Sequence, residues 1–239
     1  MIPKTIHYCW FSNDRKPRLI QRCIDSWVNV MPEYKIKCWD GHSFDFESVP
    51  FVRDAMNAKK YAFAADYVRL YAIYTEGGIY LDSDVLVTRP FDTFLSDTFF
   101  CGTEAYMIDN ELNFRMEAAI MGAEKGNTFV EECMSFYHRH SFSVKDTSTR
   151  LVMPAVISKI AEYEGYRYEN RKQELKGLTI YPTTVFTNTL HPETNSDEIY
   201  AIHQNAGSWI EYSDRGWLFR FCKKNNLMYL YHWLEKIRK

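Results

Sequence analysis

Hydrophobic and polar positions follow a strand, helix and strand pattern at the start of the chain. The apolar run at residues 2–11 predicts a strand, and the amphipathic stretch 17–31, closed by Pro32, predicts a helix. Residues 34–39 predict a second strand, whereas residues 41–58 predict an irregular connection. A strand, helix and strand at this spacing indicate a parallel βαβ unit with a right-handed crossover.

The stretch from residue 61 to 87 joins a helix, a glycine turn and an interrupted strand. Apolar side chains recur every three or four positions from residue 61 to about 76, and Gly77 and Gly78 predict a left-handed cap. Residues 79–81 and 85–87 predict buried strand on both sides of Asp82-Ser83-Asp84. Two buried acids require a balancing positive charge.

The remaining pattern alternates strands and helices. Strands are predicted at residues 98–102, 118–123, 178–181 and 199–203, and helices at residues 127–138 and 151–164. The polar and aromatic stretch 103–115 predicts a loop that faces an acceptor. Together the elements predict an α/β fold with a Rossmann-like mixed sheet flanked by helices. We expect a single domain over residues 1–212, followed by a basic aromatic helical segment at 213–239.

Composition and cysteine usage suggest a globular protein of a reducing compartment. The chain has 239 residues, 46% of them hydrophobic, and a net charge of −2. Its six cysteines are scattered without a C-x-x-C pair, so we expect reduced thiols. Without a signal peptide or an apolar run of about 18 residues, a cytoplasmic location is predicted. We expect no nucleic-acid partner.

The candidate chemistry lies in four charged side chains. Along an extended strand, Asp82 and Asp84 point to the same side and can converge on one divalent cation. On the preceding helix, Asp66 and Arg69 are three positions apart, so an acid lies beside a guanidinium suited to phosphate or sugar oxygens. The alternatives are a solvated Asp-x-Asp turn and a weak surface ion pair.

These residues carry a resemblance to a known family. Asp66-x-x-Arg69 followed by GGIYLDSD resembles the core of the DXD-containing sugar transferases of glycosyltransferase family 32. That family includes capsular polysaccharide enzymes and fungal mannosyltransferases, and the core is also similar to that of the large glucosylating toxins. The resemblance, which spans residues 2 to about 209, implies a GT-A fold, dependence on Mn²⁺ (or Mg²⁺) and retention of anomeric configuration.

The resemblance also implies a reaction and a set of site residues. We expect transfer of a hexose from a nucleotide diphosphate sugar, with UDP as the expected nucleotide, to a glycan or lipid-linked acceptor in surface polysaccharide synthesis. Catalytic roles fall to Asp66, Arg69, Asp82 and Asp84, and metal ligation to Asp82, Asp84, His203 and Ser208. The expected nucleotide-sugar-binding residues are His7, Trp10, Asp40, Ala65, Asp66, Arg69, Tyr80, Ser83 and Trp209.

Several of these residues also have purely structural interpretations. Trp10 can stack on a base or line the rim of the core, and Asp40 can touch a ribose or form a turn. His7 in a strand is typical of a core histidine. Glu117 could stabilise a positive anomeric carbon, although an exposed glutamate is the simpler interpretation. The sequence His138-Arg139-His140 indicates a solvated helix end, because neighbours two apart do not share a helical face.

The C-terminal segment is basic and aromatic. Residues 215–239 carry seven Lys and Arg against one acid, which gives +6 while the preceding chain is −8. Such a segment can contact an anionic membrane at the inner face of the cell, or it can pack its aromatic side chains on the domain.

Two other classes of function remain open from the sequence. A sugar-phosphate nucleotidyltransferase normally has a Gly-rich basic loop near its first strand, and residues 12–18 have charge without glycine. A non-catalytic module would bind the nucleotide-sugar without turning it over. Release of nucleoside diphosphate from the donor distinguishes a transferase from both.

Overall fold

The computed structural model describes residues 1–12, 14–143, 152–193 and 197–206. Residues 1–205 form one compact unit. The strands are β1 (Thr5–Cys9), β2 (Lys35–Trp39), β3 (Gly78–Leu81), β4 (Val85–Val87), β5 (Phe99–Ile108), β6 (Glu111–Ala123), β7 (Gln173–Leu175), β8 (Leu178–Tyr181), β9 (Phe186–Asn188) and β10 (Ala201–His203). The α-helices are α1 (Arg18–Val30), α2 (Pro50–Asn57), α3 (Tyr61–Glu76), α4 (Thr128–Arg139) and α5 (Met153–Ala161).

A seven-stranded mixed sheet has the strand order β2-β1-β3-β6-β5-β8-β7. Strand β1 runs parallel to β2 and to β3, as the predicted βαβ unit requires, whereas β6 is antiparallel to both β3 and β5. A second sheet of three strands has the order β4-β10-β9. The predicted α/β fold with a Rossmann-like mixed sheet flanked by helices is therefore confirmed.

Successive side chains of the central strands enter two different hydrophobic clusters. In β3, Ile79 and Leu81 pack in the cluster that contains Trp27 of α1, whereas Tyr80 packs in the cluster that contains α3, α4 and α5 residues. This follows from the two-residue period of a strand, which sends neighbouring side chains to opposite faces of the sheet. Helices thus cover both faces, and all of β3 and residues 116–123 of β6 are buried.

Helix α3 and the glycine turn have the predicted bounds. The helix spans Tyr61–Glu76, and Gly77 caps it through its N–H to the carbonyl of Ile73. Gly77 and Gly78 have φ of +69° and +116°, conformations that favour glycine. A Cβ at Gly78 would also lie 2.6 Å from the carbonyl oxygen of Thr5. This tight turn fixes α3 against β3, and so fixes Asp66 and Arg69 relative to Asp82.

Some predicted elements were wrong in type or extent. The predicted acceptor loop at 103–115 is instead a β-hairpin formed by β5 and β6, which turns at Asp109 and Asn110, both with positive φ. Part of the predicted irregular connection 41–58 is helix α2. Strands β7 and β9 were not predicted. The predicted boundary at residues 212 and 213 lies outside the described residues.

Two further observations concern the described part of the chain. Its five cysteines (Cys9, Cys23, Cys38, Cys101 and Cys133) are free thiols. Each described helix is too short or too polar to cross a membrane.

Candidate active site

The two acids of the Asp82-Ser83-Asp84 segment lie in a tight turn that links the two sheets. Strand β3 ends at Leu81 and β4 begins at Val85, and the N–H of Val85 donates to the carbonyl of Asp82 at 2.9 Å. The strands predicted at residues 79–81 and 85–87, interrupted at the acids, are confirmed, whereas the extended backbone assumed for Asp82 and Asp84 is a turn. The turn nonetheless brings the Asp82 and Asp84 carboxylates together, as expected.

His203 joins these acids from the far end of the described chain. Strand β10 is antiparallel to β4 and pairs His203 with Val85, and the N–H of Gln204 donates to the carbonyl of Asp84 at 3.0 Å. The imidazole Nε2 lies 3.6 Å from Oδ1 of Asp84. One ligand atom from each of Asp82, Asp84 and His203 lies within 4.8 Å of the others.

Arg69 connects the helix to the turn. Its Nη2 lies 3.0 Å from Oδ1 of Asp66 and 3.4 Å from Oδ1 of Asp82. Its Nη1 donates to the carbonyl of Ala118 at 2.6 Å, and its Nε donates to the carbonyl of Ala65 at 3.3 Å. Asp66 and Arg69 are buried, so they do not form the surface ion pair weighed in the sequence. Most of the Arg69 N–H groups, which were expected to bind phosphate or sugar oxygens, donate instead to acceptors within the protein.

A bulge in β6 lines the opposite side of the site. On β5, Cys101 pairs with Met121 and Thr103 pairs with Met116, so Gly102 alone faces residues 117–120 of β6. The bulge turns its backbone toward the site, because the carbonyl of Ala118 accepts from Arg69. The next carbonyl, of Ala119, accepts from the N–H of Asp82 at 2.8 Å.

The bulge also carries a buried acid that the sequence analysis placed incorrectly. Glu117 was expected to be an exposed glutamate, but it is 4% exposed. Its Oε1 lies 3.4 Å from Nδ1 of His203, on the side of the ring opposite Asp84. A sequence signal existed, since this lone acid directly precedes the apolar run Ala118–Ala123.

Burial and neighbouring charges shift the pKa of each of these groups in opposite directions. Burial raises the pKa of Asp66 to about 7, although Arg69 opposes this shift. Burial likewise raises the pKa of Asp82 against the opposing charge of Arg69. Burial alone would lower the pKa of His203, but Asp84 and Glu117 raise it to about 10. The imidazolium in turn lowers the pKa of Glu117, despite the burial of that carboxyl group.

The donor set fits a divalent cation. Two carboxylates and one imidazole are ligands that Mn²⁺ accepts, and carboxylates alone suit Mg²⁺. The Nδ1 atom of His203 is buried and faces Glu117 at 3.4 Å, with no other partner among the described residues. The carboxyl groups of Asp66 and Asp82 contact Arg69, and those of Asp84 and Glu117 contact His203. A divalent cation held by Asp82, Asp84 and His203 would add to the positive charge that faces these carboxylates.

Four of the other predicted donor-binding residues lie beside the charged residues of the site or at the carboxyl end of β1. Tyr80 adjoins the acids, since its hydroxyl donates to Oδ1 of Asp82 at 2.9 Å, and Ala65 adjoins Arg69. Ser83 lies between the acids in the turn. Trp10 follows the carboxyl end of β1, half-buried, with its Nε1 donating to the carbonyl of Asp14 at 3.3 Å.

Two predicted donor-binding residues are engaged within the protein. Asp40 follows β2, and its Oδ1 accepts from the N–H groups of His42 and Ser43, as in the turn interpretation. His7 is fully buried, with Nε2 2.9 Å from the carbonyl of Gly77 and Nδ1 accepting from Nε1 of Trp39 at 3.1 Å. That arrangement matches the core-histidine interpretation.

The remaining predictions concern residues 208 and 209, the C-terminal segment and the end of α4. Ser208 and Trp209, expected at the metal and the diphosphate, lie outside the described residues, as does the segment 213–239. His138 and His140 are exposed at the end of α4, as expected for a solvated helix end.

One protein family matches a part of the chain that contains four residues of this site. Residues 17–100 match the family described as "Glycosyltransferase sugar-binding region containing DXD motif". The matched range contains Asp66, Arg69, Asp82 and Asp84, whereas His203 lies beyond it. Over this part of the chain, the match agrees with the expected resemblance to DXD-type glycosyltransferases.

Two named proteins and one solved structure show what this chain is similar to. The chain is 29% identical over 150 residues to inositol phosphoceramide mannosyltransferase 3 of Schizosaccharomyces pombe, covering 59% of this chain but only 39% of that protein. It is 23% identical over 218 residues to an uncharacterised glycosyltransferase of Acanthamoeba polyphaga mimivirus, covering 87% of this chain and 84% of that protein. Among solved structures, the PaToxG glycosyltransferase superposes with a TM-score of 0.49 and 17% identity, covering 68% of this chain and 70% of that chain.

Proposed function

We propose that this protein is a metal-dependent glycosyltransferase that moves a hexose from a nucleoside diphosphate sugar to a hydroxyl acceptor. The observation that carries the proposal is the convergence of Asp82, Asp84 and His203 within 4.8 Å of one another, beside the buried Arg69. A hard cation at three such ligands suits the oxygens of a diphosphate. The family match over residues 17–100 supports the same class of reaction.

In this proposal, Asp82, Asp84 and His203 hold Mn²⁺ or Mg²⁺, with Ser208 as a further ligand. When bound, the cation supplies Lewis-acid stabilisation of negative charge on the leaving diphosphate. Arg69 adds a permanent positive charge at the same place and, through its contacts with Asp66 and Asp82, holds the turn against helix α3. Because Asp66 and Arg69 are buried and Arg69 contacts both Asp66 and Asp82, these side chains are positioned before the donor arrives.

The nucleotide is proposed to lie across the carboxyl ends of β1 and β2, where ligands bind in open α/β sheets. Trp10 would stack on the base, which we propose to be uracil, and Asp40 would approach the ribose. Trp209 would donate its indole N–H to the diphosphate. The resemblance to glycosyltransferase family 32 supports a GT-A assignment and retention of configuration by departure and attack on the same face.

The acceptor is proposed to be a glycan or a lipid-linked oligosaccharide of surface polysaccharide synthesis. Support comes from the resemblance and from the +6 charge of residues 215–239, which suits an anionic membrane at the inner face of the cell. Sedimentation with vesicles that contain anionic lipid tests this contact. Deletion of residues 215–239 is expected to reduce binding, and equal sedimentation of both proteins would favour packing on the domain.

A panel of nucleotide-sugars incubated with the full chain and Mn²⁺ tests the proposed reaction. We expect release of nucleoside diphosphate from one donor, and loss of that release when EDTA is added or when Asp84 is changed to Asn. Release of sugar 1-phosphate and a nucleoside triphosphate when pyrophosphate is added would support the nucleotidyltransferase instead, and release of no product would support the binding module. Full activity of a folded Asp84→Asn variant would contradict the proposal.

A further inference from the structure

The role of His203 in the proposed function depends on the orientation of its ring. Its Nε2 faces Asp84 at 3.6 Å, whereas its Nδ1 faces Glu117 at 3.4 Å. The ring therefore spans two carboxylates, one in the proposed metal site and one outside it. Apart from Glu117, no described side chain forms an ion pair or hydrogen bond with Nδ1, which is buried.

Glu117 is held rigidly in this position. Its Oε1 accepts a hydrogen bond from the N–H of Ala119 at 3.0 Å, within the bulge of β6. The space beside it exists because residue 102 is glycine, where a Cβ would lie 3.4 Å from Cβ of Glu117 and 3.0 Å from Cβ of Phe186. An acid at 4% exposure is costly to bury without a charged or hydrogen-bonding partner. Its contact with His203 supplies that partner.

We propose that Glu117 is a positioning residue that orients the imidazole of His203 so that Nε2 can ligate the divalent cation, an inference that rests on the proposed metal site. A histidine that binds a metal through one ring nitrogen must carry its proton on the other nitrogen, which then donates to an acceptor. Glu117 provides this acceptor at Nδ1. It fixes both the tautomer and the direction of the ring, without touching the cation or the substrate.

The bulge of β6 gives this inference a wider structural basis. Its residues 117–119 contact three parts of the site: Glu117 faces His203, Ala118 accepts from Arg69, and Ala119 accepts from the N–H of Asp82. One irregularity in the sheet thus sets the relative positions of helix α3, the Asp82 turn and strand β10. Bulges commonly redirect side chains next to active sites.

Titration of the full chain with Mn²⁺ alone, followed by the electron paramagnetic resonance signal of the free ion, tests the role of Glu117. Removal of an outer partner of a metal-binding histidine typically costs about 10- to 100-fold in affinity, and this loss is expected for Glu117→Met. The variant has a side chain of similar length but offers no hydrogen-bond acceptor to Nδ1 of His203. Its melting temperature shows whether it folds.

A matched control separates positioning from loss of charge. Glu104 is a partly buried acid on the same strand pair, but it is bonded to Arg115 at 2.7 Å. The Kd for Mn²⁺ of Glu104→Met is expected to stay within about threefold of the unaltered chain, because no ligand is reoriented. A loss in Glu104→Met as large as that in Glu117→Met would attribute the effect to charge and overturn the proposal.

A double-mutant cycle tests whether Glu117 acts through His203. In a His203→Ala background, Glu117→Met is expected to change the Kd for Mn²⁺ by less than about threefold, because the group that Glu117 positions is gone. Independent, additive losses would overturn the inference. An unchanged Kd in folded Glu117→Met would also overturn it while leaving the metal site intact. Failure of the unaltered chain to bind Mn²⁺ would instead remove the metal from the proposed function, and this inference with it.

Discussion

The Arg69 guanidinium reaches across from helix α3 to the Asp82 carboxylate, with 3.4 Å between Nη2 and Oδ1. The same nitrogen lies 3.0 Å from Oδ1 of Asp66, so one cation links an acid of the helix to an acid of the turn. All three side chains lie in surroundings where unpaired charge is costly. Arg69 therefore belongs to the structure of the site as well as to its proposed chemistry.

Replacement of Arg69 by Met is expected to destabilise the fold by about 3–5 kcal/mol, because it leaves the buried Asp66 and the partly buried Asp82 carboxylates without their counter-charge. Urea unfolding at neutral pH measures the change. The matched control is Arg53→Met, since Arg53 pairs with Asp54 where both side chains are more than a third exposed. That change is expected to alter stability by no more than about 0.5 kcal/mol. Equal effects at both positions would show that the Arg69 pair behaves as a surface pair.

The raised pKa of Asp66, from 3.8 to about 7, predicts a pH-dependent cost to stability. Between these values the folded protein retains a proton that the unfolded chain releases, so unfolding becomes more favourable as pH rises. Asp66→Asn removes this titration. Relative to the variant, the unaltered chain is expected to lose stability between about pH 4 and 7, by up to about 1.4 kcal/mol per pH unit, and to change little above that range.

Urea unfolding of the metal-free chain and of Asp66→Asn across pH 4–8 provides the test. The relevant quantity is the difference in unfolding free energy between the two proteins, because carboxylates elsewhere titrate in both. A difference that stays constant with pH would show that Asp66 is ionised as an ordinary carboxylate in the folded protein.

The glycine turn after α3 predicts a strong dependence on residue 78. At Gly78 the backbone has φ of +116°, and a Cβ would lie 2.6 Å from a backbone oxygen, so Gly78→Ala is expected to cost about 2–4 kcal/mol. Gly41→Ala is the control, since nothing lies within 4 Å of a Cβ there, and a change within about 0.5 kcal/mol is expected. Comparable melting temperatures for the two variants would contradict this account of the turn.

The local parts of the site could be predicted from the sequence. Helix α3, its glycine cap and the acids at 82 and 84 lie within one short stretch, where apolar period and turn residues act between near neighbours. The sequence also contains a signal for the hairpin of β5 and β6, because the turn-forming pair Asp109-Asn110 lies between alternating residues. Both residues adopt positive φ in the structure. That signal was missed, and the stretch was interpreted as a loop.

The position of Glu117 depends on contacts that no local pattern contains. Its burial follows from a register shift between two strands and from the arrival of His203 on β10, which pairs with β4 in a second sheet. Strand pairing between distant segments is set by the packing of the whole domain. Sequence reasoning therefore identified the acids of the turn and the histidine, but not the carboxylate behind that histidine.

The most direct test of the central claim is a crystal structure of the full chain grown with Mn²⁺ and uridine diphosphate, with anomalous data collected near the manganese edge. The account predicts an anomalous peak in contact with Asp82, Asp84 and His203, and next to the diphosphate oxygens. A diphosphate bound without such a peak, or a peak remote from these three side chains, would contradict it.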